Sequence, residues 1–277
     1  MKNIRILCIG DVIGAAGRAI FQKYIPKLKK ERAIDLVVVN GENSAHDGRG
    51  IIPRIVQSLR HNGADVVTSG NHIWAKKEIY AYLDEHTDLI RPLNFPHGVP
   101  GAGYTIINTT RGSVAVANLQ GRVFMKELVS CPFRAADSML TYLKSKTAVI
   151  IIDFHAETTA EKSALAQYLD GRVSVVYGTH THIQTADEQI LPKGTAFITD
   201  VGMAGSLHSI IGMKKESIIR NFLLQMPSKF EVDTALPLIM GGIIVDIDPD
   251  TGRAISIERI RIQDNELIVT PENTTNK

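Results

Sequence analysis

The chain has 277 residues, 44% of them hydrophobic, which is enough to bury a substantial core. Its 31 basic and 29 acidic residues leave a formal net charge of +2, so there is no electrostatic case for wrapping nucleic acid or lying on a membrane. The two cysteines, Cys8 and Cys131, exclude a disulfide framework. No signal peptide or membrane-spanning stretch is evident, so we expect a soluble cytoplasmic protein.

Strand and helix patterns alternate in the first seventy residues. Apolar runs predict strands over 4–9, 36–39 and 66–68, and helical spacing predicts helices over 19–30 and 51–59 between them. This βαβαβ order predicts a parallel sheet with helices on its faces. In such sheets ligands bind beyond the carboxyl ends of the strands.

The rest of the chain is predicted to be rich in strands and connections. A loop with several prolines and glycines covers 91–104, and a second long connection covers 119–134. Strands are predicted over 104–107, 114–118, 149–152, 173–177, 196–199, 242–247, 254–262 and 267–269, and a helix over 159–169. The turn at 248–252 predicts a hairpin. Without a repeat or linker, we expect one domain over 1–269 and a frayed polar tail over 270–277.

Five short polar motifs stand where apolar runs end. They are Gly10-Asp11-Val12, Gly41-Glu42-Asn43, Gly70-Asn71-His72, Asp153-Phe154-His155 and Gly178-Thr179-His180-Thr181-His182. Their carboxylate, amide and imidazole groups are the ligands that neighbouring divalent metals take in proteins. Because several of these motifs follow strands of one predicted sheet, separation along the chain does not prevent them from meeting.

Taken singly, some of these residues have another explanation. Asp11 after a buried strand could cap a helix, and the Glu42-Asn43 pair is as compatible with capping as with metal binding. A lone histidine such as His155 is more often a hydrogen-bonded core residue. Its place two residues after Asp153, at another strand end, favours a ligand instead.

The remaining histidine motifs are more specific. An amide beside a histidine at a third strand end, as in Asn71-His72, is hard to explain by capping alone. His180 and His182 are two residues apart, so in an extended segment both rings point to the same side. Two adjacent metals generate hydroxide at neutral pH and clamp a phosphoryl group, so the whole set predicts phosphoester hydrolysis.

These residues resemble the calcineurin-like metallophosphoesterases, and within them the YmdB-like phosphodiesterases of bacteria. Asp11-Val12-Ile13 stands where the superfamily has Asp-x-His, and Glu42 followed by Asn43 stands where it has a bridging aspartate. Both departures are features of the YmdB-like branch. Segments 118–125, 131–137 and 199–203 extend the resemblance over nearly the whole chain.

The resemblance implies a fold and a set of cofactors. The fold would be an α/β four-layer sandwich, with two central mixed sheets flanked by helices. The cofactors would be two divalent ions, iron or manganese, and mixed nitrogen and oxygen ligands also allow zinc. Metal one would be held by Asp11, Glu42, Asn43 and His182, and metal two by Glu42, Asn71, His155 and His180.

The resemblance also implies a reaction. A hydroxide bridging the metals would open a cyclic nucleotide, with 2′,3′-cyclic nucleoside monophosphates favoured, and His72 would protonate the leaving ribose oxygen. In the connection over 119–134, Arg122 and Arg134 are candidate phosphate contacts, although ion pairs with surface carboxylates explain them equally well. The family resemblance suggests a homo-oligomer.

Two alternatives remain open. The chain could hydrolyse another phosphate ester, because the metal ligands do not specify the rest of the substrate. It could instead be a regulatory metalloprotein that binds a nucleotide with little turnover, although the complete ligand set argues against this. Segment 205–209 departs from the turn expected in the family, so substrate preference could differ if it lines the pocket. We expect His208 within it to be exposed.

Overall fold

The computed structural model describes residues 3–269. Within them the chain forms thirteen strands, six α-helices and a short 3-10 helix at Ile73–Ala75. The strands are β1 (Ile4–Ile9), β2 (Asp11–Val12), β3 (Leu36–Asn40), β4 (Val66–Thr68), β5 (Tyr104–Thr109), β6 (Gly112–Gln120), β7 (Val149–His155), β8 (Val175–Thr179), β9 (Gln189–Ile190), β10 (Ala196–Ile198), β11 (Met203–Ser206), β12 (Leu238–Ile247) and β13 (Ala254–Asp264). The helices are α1 (Gly14–Glu31), α2 (Pro53–His61), α3 (Ile79–Glu85), α4 (Pro132–Leu143), α5 (Thr159–Leu169) and α6 (Lys215–Leu224).

The first sheet has seven strands in the order β2-β11-β12-β1-β3-β4, with β13 also paired to β12. Strands β1, β3 and β4 are parallel, as the βαβαβ pattern predicts. Strand β12 runs antiparallel to β1 and makes the sheet mixed. The predicted turn at 248–252 joins β12 to β13 as an antiparallel hairpin.

The second sheet has six strands in the order β5-β6-β7-β8-β10-β9. Its four central strands are parallel, and the edge strands β5 and β9 are antiparallel to their neighbours. Strand β7 is buried along its whole length, which explains its nearly continuous apolar sequence. Both sheets therefore contain parallel strands whose carboxyl ends can carry a site.

Three apolar clusters define four layers. In the middle cluster, Val38 of the first sheet packs with Val116 and other residues of the second. An outer cluster joins the first sheet to α1, α2 and α3, and includes the fully buried Phe21. The third cluster joins the second sheet to α4 and α5. The predicted sandwich of two mixed sheets between helices is confirmed.

Helix α1 begins earlier than its sequence pattern predicts. It starts at Gly14, whereas the spacing of large apolar residues predicts a start at residue 19. The first turns are built from small residues because the helix lies close to β11. A Cβ on Gly17 would overlap the carbonyl oxygen of Ala204. Periodicity of large side chains misses a helical segment that packs through glycine and alanine.

Three other parts of the prediction need correction. Strand β6 continues to Gln120 and α4 begins at Pro132, so the predicted connection over 119–134 is shorter at both ends. Residues 267–269, predicted as a strand, form none, and Leu267 packs instead against the first outer cluster. Sequence patterns also missed α3, α4, α6, β2, β9 and β11, several of them short elements whose place depends on tertiary packing.

The expectations about the cysteines and about membrane-spanning segments can be compared with the structure. Cys8 and Cys131 are free cysteines, and Cys8 is buried as its place in β1 suggests. Among residues 3–269, no helix has the length and apolar character needed to cross a bilayer. The assignment of 1–269 to one domain stays a prediction, and the tail over 270–277 lies outside the described residues.

Candidate metal centre

All the sequence-predicted ligands meet at one edge of the sandwich. Those from the first sheet lie in β2 or directly after β3 and β4, and those from the second sheet end β7 or follow β8. The residues brought together are Asp11, Glu42, Asn43, Asn71, His72, His155, His180 and His182. The strand-end placement inferred from the sequence therefore brings these side chains together. The segment of His180 and His182 is not extended as expected, because both residues have positive φ.

One group of candidate metal-ligand atoms lies around Nε2 of His155. Its Nε2 lies 3.1 Å from Glu42 Oε1, 3.1 Å from Asn71 Oδ1 and 3.1 Å from His180 Nδ1. Donor atoms of Glu42, His155 and His180 all lie within 4.8 Å of one another. This is the set that the family resemblance assigns to metal two.

A second group of candidate ligands lies around Nε2 of His182. The Nε2 atom of His182 is 3.7 Å from Asp11 Oδ1 and 3.2 Å from Asn43 Nδ2. Asn43 Nδ2 is also 3.2 Å from Glu42 Oε1. The amide oxygen of Asn43 instead faces His72 Nδ1 at 2.8 Å, so Asn43 would have to turn its amide over to bind a metal through oxygen. Apart from that orientation, this set matches the ligands assigned to metal one.

The buried carboxylates indicate that a cation fits this place. Asp11 is fully buried, and its Oδ1 has no hydrogen-bond partner among the described residues. Burial raises the pKa of Asp11, and the nearby His182 and His155 oppose that rise. Leaving such an oxygen unsatisfied is unfavourable, whereas a bound cation would satisfy it. The mixture of carboxylate, amide and imidazole donors suits iron, manganese or zinc.

Without a metal, the pKa values of the neighbouring His155 and His180 shift in opposite directions. Burial disfavours charge on His155, but the carboxylates of Glu42, Asp11 and Asp153 outweigh it and raise its pKa to about 9. Burial and the neighbouring His155 lower the pKa of His180 to about 3. Burial would raise the pKa of Glu42, but His155 and His72 hold it well below its usual range. Positive charge beside Glu42 is thus favoured.

Gly70 leaves room for the crowded centre. A Cβ at this position would overlap the ring of His155 and Oε2 of Glu42. The same carboxylate oxygen accepts a hydrogen bond from the backbone N–H of His72 at 3.0 Å. Glycine before Asn71-His72 therefore lets the third strand end approach the ligands, which gives the Gly70-Asn71-His72 motif a steric reason.

A layer of buried polar groups supports the ligands from beneath, and sequence reasoning named its members Asp153 and Thr179 without finding this role. Asp153 accepts hydrogen bonds from Thr68, from Asn40 at 3.0 Å and from Thr179 at 2.7 Å. Burial raises its pKa to about 6 despite these donors. Thr179 Oγ1 in turn contacts His155 Nδ1 at 2.9 Å, which leaves Nε2 for a ligand. The sequence did offer an indication of this layer, because a polar residue stands at the end of each of these apolar strands.

A cavity of about 320 Å³ opens over the centre. It is lined by Glu42, Asn43, Gly48, Arg49, His72, Glu157, His180, Thr181, His182, Ile211, Met213, Ile218 and Phe230. Arg49 contributes the single lysine or arginine of this lining, and sequence reasoning did not select it. One wall is apolar and the floor carries the candidate ligands, which suits an anionic substrate with an apolar part.

The two predicted phosphate contacts lie elsewhere. Neither Arg122 nor Arg134 lines the cavity over the centre, and Arg134 borders a separate cavity of about 420 Å³ with Tyr142 and His97. Their contact with a phosphate remains a prediction that this arrangement does not support. In segment 205–209, the first two residues belong to β11 and His208 is exposed as predicted.

The chain is similar to several known proteins over nearly its whole length. A family model described as YmdB-like protein matches residues 7–260. A 2′,3′-cyclic-nucleotide 2′-phosphodiesterase of Bacillus subtilis (strain 168) is 48% identical over 264 residues, covering 95% of this chain and 99% of the relative. The crystal structure of a novel phosphatase from Mycoplasma pneumoniae has a TM-score of 0.89 at 36% identity, covering 99% of this chain and 96% of the other. A hypothetical protein from Thermus thermophilus has a TM-score of 0.88 at 39% identity, with coverage of 94% and 100%.

Proposed function

The chain belongs to the YmdB-like family, and on that premise we propose that it is a metal-dependent phosphodiesterase acting on cyclic nucleotides. It is a hydrolase of phosphate esters, in keeping with the names of its relatives. By analogy with the Bacillus subtilis relative, 2′,3′-cyclic nucleoside monophosphates are the favoured substrates. The observation that carries the proposal is the convergence of seven candidate ligands from both sheets, with Glu42 among them.

The ligands divide into two sets that share Glu42. Asp11, Glu42, Asn43 and His182 would hold one divalent ion, and Glu42, Asn71, His155 and His180 the other. Manganese or iron is favoured, with zinc also compatible. When bound, the ions supply Lewis acidity toward the phosphate and a nucleophile at neutral pH. Occupation by cations would also satisfy Oδ1 of Asp11, which has no hydrogen-bond partner among residues 3–269.

His72 is placed to donate a proton to the leaving oxygen. Its side chain is 31% exposed and lines the cavity. Nδ1 lies 3.4 Å from Glu42 Oε1 and, as long as Asn43 has not turned its amide toward a metal, 2.8 Å from the Asn43 oxygen. The Glu42 carboxylate favours a hydrogen on that atom in either case. With a hydrogen already on Nδ1, His72 acts as an acid in its imidazolium form, in which Nε2 also carries a proton and would pass it to the leaving oxygen. This is the arrangement of a general acid held by its neighbours.

The rest of the cavity supports a nucleotide-like substrate. Arg49 would neutralise charge on the phosphate as the substrate enters. The apolar side chains of Ile211, Met213, Ile218 and Phe230 form a surface on which a base could lie. Cytoplasmic location and a homo-oligomeric state remain predictions.

The test measures steady-state hydrolysis of 2′,3′-cyclic AMP by protein loaded with Mn²⁺. We expect His72→Ala to keep two bound ions but to lose on the order of 10²–10⁴-fold in kcat. His182→Ala should lose one ion together with activity. Against a p-nitrophenyl phosphodiester, whose leaving group needs no proton, His72→Ala should lose much less. The exposed His208→Ala serves as a matched control and should behave as wild type.

Other outcomes would change the conclusion. An unaltered rate for His72→Ala on the cyclic nucleotide would remove His72 as the acid. Binding of nucleotide by a protein with two ions but without turnover would favour a regulatory role.

Arg49→Met is measured in the same set of variants. Because Arg49 is proposed to contact the phosphate as the substrate enters, we expect a raised KM with kcat nearly unchanged.

A further inference from the structure

A buried carboxylate behind the candidate ligands is used by none of the proposed chemistry. Asp200 lies between β10 and β11 and is fully buried. Its Oδ2 accepts hydrogen bonds from Lys162 Nζ at 2.7 Å, from Thr181 Oγ1 at 2.7 Å and from the Thr181 backbone N–H at 3.2 Å. Its Oδ1 accepts one from the backbone N–H of Gly202 at 2.8 Å. Four donors on one carboxylate hold it in a single orientation.

The lysine that pairs with Asp200 is also buried. Lys162 belongs to α5 and its side chain is 1% exposed. Its stem runs along the backbone at Gly178, where a Cβ would lie 2.8 Å from the lysine Cδ. Burying an ion pair is no more stabilising than packing apolar side chains of the same volume. Stability alone therefore gives no reason to place this pair here.

Asp200 holds the residue between two predicted ligands. Thr181 separates His180 from His182, and these two histidines have φ of 94° and 65°. Residues other than glycine adopt such values only when the surrounding structure holds them there. Two of the four hydrogen bonds to Asp200 come from Thr181, so this carboxylate fixes the segment in its unfavourable conformation.

The same carboxylate connects to the first strand end. Gly202, whose N–H bonds to Asp200, accepts through its carbonyl oxygen a hydrogen bond from the backbone N–H of Asp11 at 3.1 Å. The Oδ2 atom of Asp11 then accepts one from the backbone N–H of His180 at 3.1 Å. A closed set of contacts thus joins the carboxylate ligand of one sheet to the histidine ligands of the other.

We infer that Asp200, held by Lys162, is a positioning residue that sets the spacing of Asp11, His180 and His182. The inference depends on the proposed metal site, because the consequence of that spacing is metal affinity. Removing the charge of Asp200 should release Thr181 and let both histidines move. Because outer partners of metal ligands affect affinity strongly, we expect Mn²⁺ to bind about 10–100-fold more weakly.

The experiment measures Mn²⁺ stoichiometry and affinity by calorimetry for wild type, Asp200→Asn and Thr181→Val. Asp264→Asn is a matched control, since Asp264 also accepts from a lysine, a hydroxyl and two backbone N–H groups, at the junction of α1 and β13. The control should bind Mn²⁺ as wild type does. Thr181→Ser keeps the hydroxyl and should bind more tightly than Thr181→Val.

A second measurement needs no metal. The protein has nine histidines, and two-dimensional NMR of their ring C–H groups reports the surroundings of each. In metal-free Asp200→Asn and Thr181→Val, the signals of His180 and His182 should shift while those of the exposed His208 stay unchanged. Unmoved ring signals together with wild-type Mn²⁺ affinity in these variants would overturn the inference. If wild type itself binds no Mn²⁺, the metal site is wrong, and the ring signals alone decide whether Asp200 positions the segment.

Discussion

At the scale of single residues, the centre tolerates no additional atoms beside Gly70. A Cβ there would overlap His155 and Glu42, and the backbone at Gly70 is not in the left-handed region. Gly70→Ala should therefore displace the ligands without straining its own backbone. We expect hydrolysis to fall by on the order of 100-fold, because a small misplacement of catalytic groups has effects of this size. Steady-state kinetics on a phosphodiester would measure the loss.

The control for that change is a glycine with room around it. An added Cβ on Gly205, in β11, would meet its nearest neighbour, Ile13, at 3.5 Å, an ordinary contact. Gly205→Ala should keep both activity and stability, because the added methyl group makes only ordinary contacts. Equal activity of the two variants would show that the close approach at Gly70 does not matter.

At the scale of elements, Asp264 fastens the end of β13 to α1. It accepts hydrogen bonds from Lys23, from Tyr24 at 2.9 Å and from two backbone N–H groups. The lysine contact and these other donors lower the pKa of Asp264 to about 2, below its ordinary value of 3.8. Asp264→Asn should lower the free energy of unfolding at pH 7 by about 1–3 kcal/mol, as for other hydrogen bonds to a charged group.

The sign of the pH dependence follows from the lowered pKa. The stabilisation from the Asp264 carboxylate is fully present above pH 3.8 and is lost as pH falls toward about 2. The difference between wild type and Asp264→Asn should therefore be smaller at pH 3 than at pH 7 in urea unfolding. Asp250→Asn, at the exposed hairpin tip, should show little difference at either pH. If the difference in unfolding free energy between wild type and Asp264→Asn is the same at pH 3 and pH 7, the Asp264 contacts do not stabilise the protein in solution.

At the scale of the whole molecule, the candidate ligands connect the two sheets. Asp11 and Glu42 come from the first sheet, and His155 and His180 from the second. An ion held by ligands from both sheets can bind to the folded protein but not to the unfolded chain. At 100 times the dissociation constant, one such site stabilises by about 2.7 kcal/mol, so Mn²⁺ should raise Tm by several degrees and a chelator should reverse the rise.

Two variants distinguish a proposed metal ligand from the proposed general acid in this thermal measurement. His72→Ala should retain the full Mn²⁺-dependent rise in Tm, because His72 is not among the proposed ligands. His182→Ala should lose part of it. The absence of any Mn²⁺ effect on the wild-type protein would argue against a metal centre that spans the sheets.

Sequence reasoning selected the candidate ligands because their chemistry is local. Each stands at the end of an apolar strand, and parallel strands place their carboxyl ends at one edge, so convergence could be predicted without coordinates. Elements that pack through small residues, such as the first turns of α1, carry no periodic signal. The same limit applies to Arg49, which lies in a loop and becomes a cavity residue only because the chain folds over the centre.

Sequence patterns alone therefore determined the parallel βαβαβ unit and the candidate ligands, since strand patterns and the chemistry of side chains are properties of short segments. The two-sheet sandwich and the proposed acid came from the family resemblance. Tertiary structure decided how these groups face one another. It turned the Asn43 oxygen toward His72, excluded Arg122 and Arg134 from the cavity, and placed Asp200 behind the histidine segment. Orientation and enclosure depend on contacts between residues far apart along the chain, and no local pattern records them.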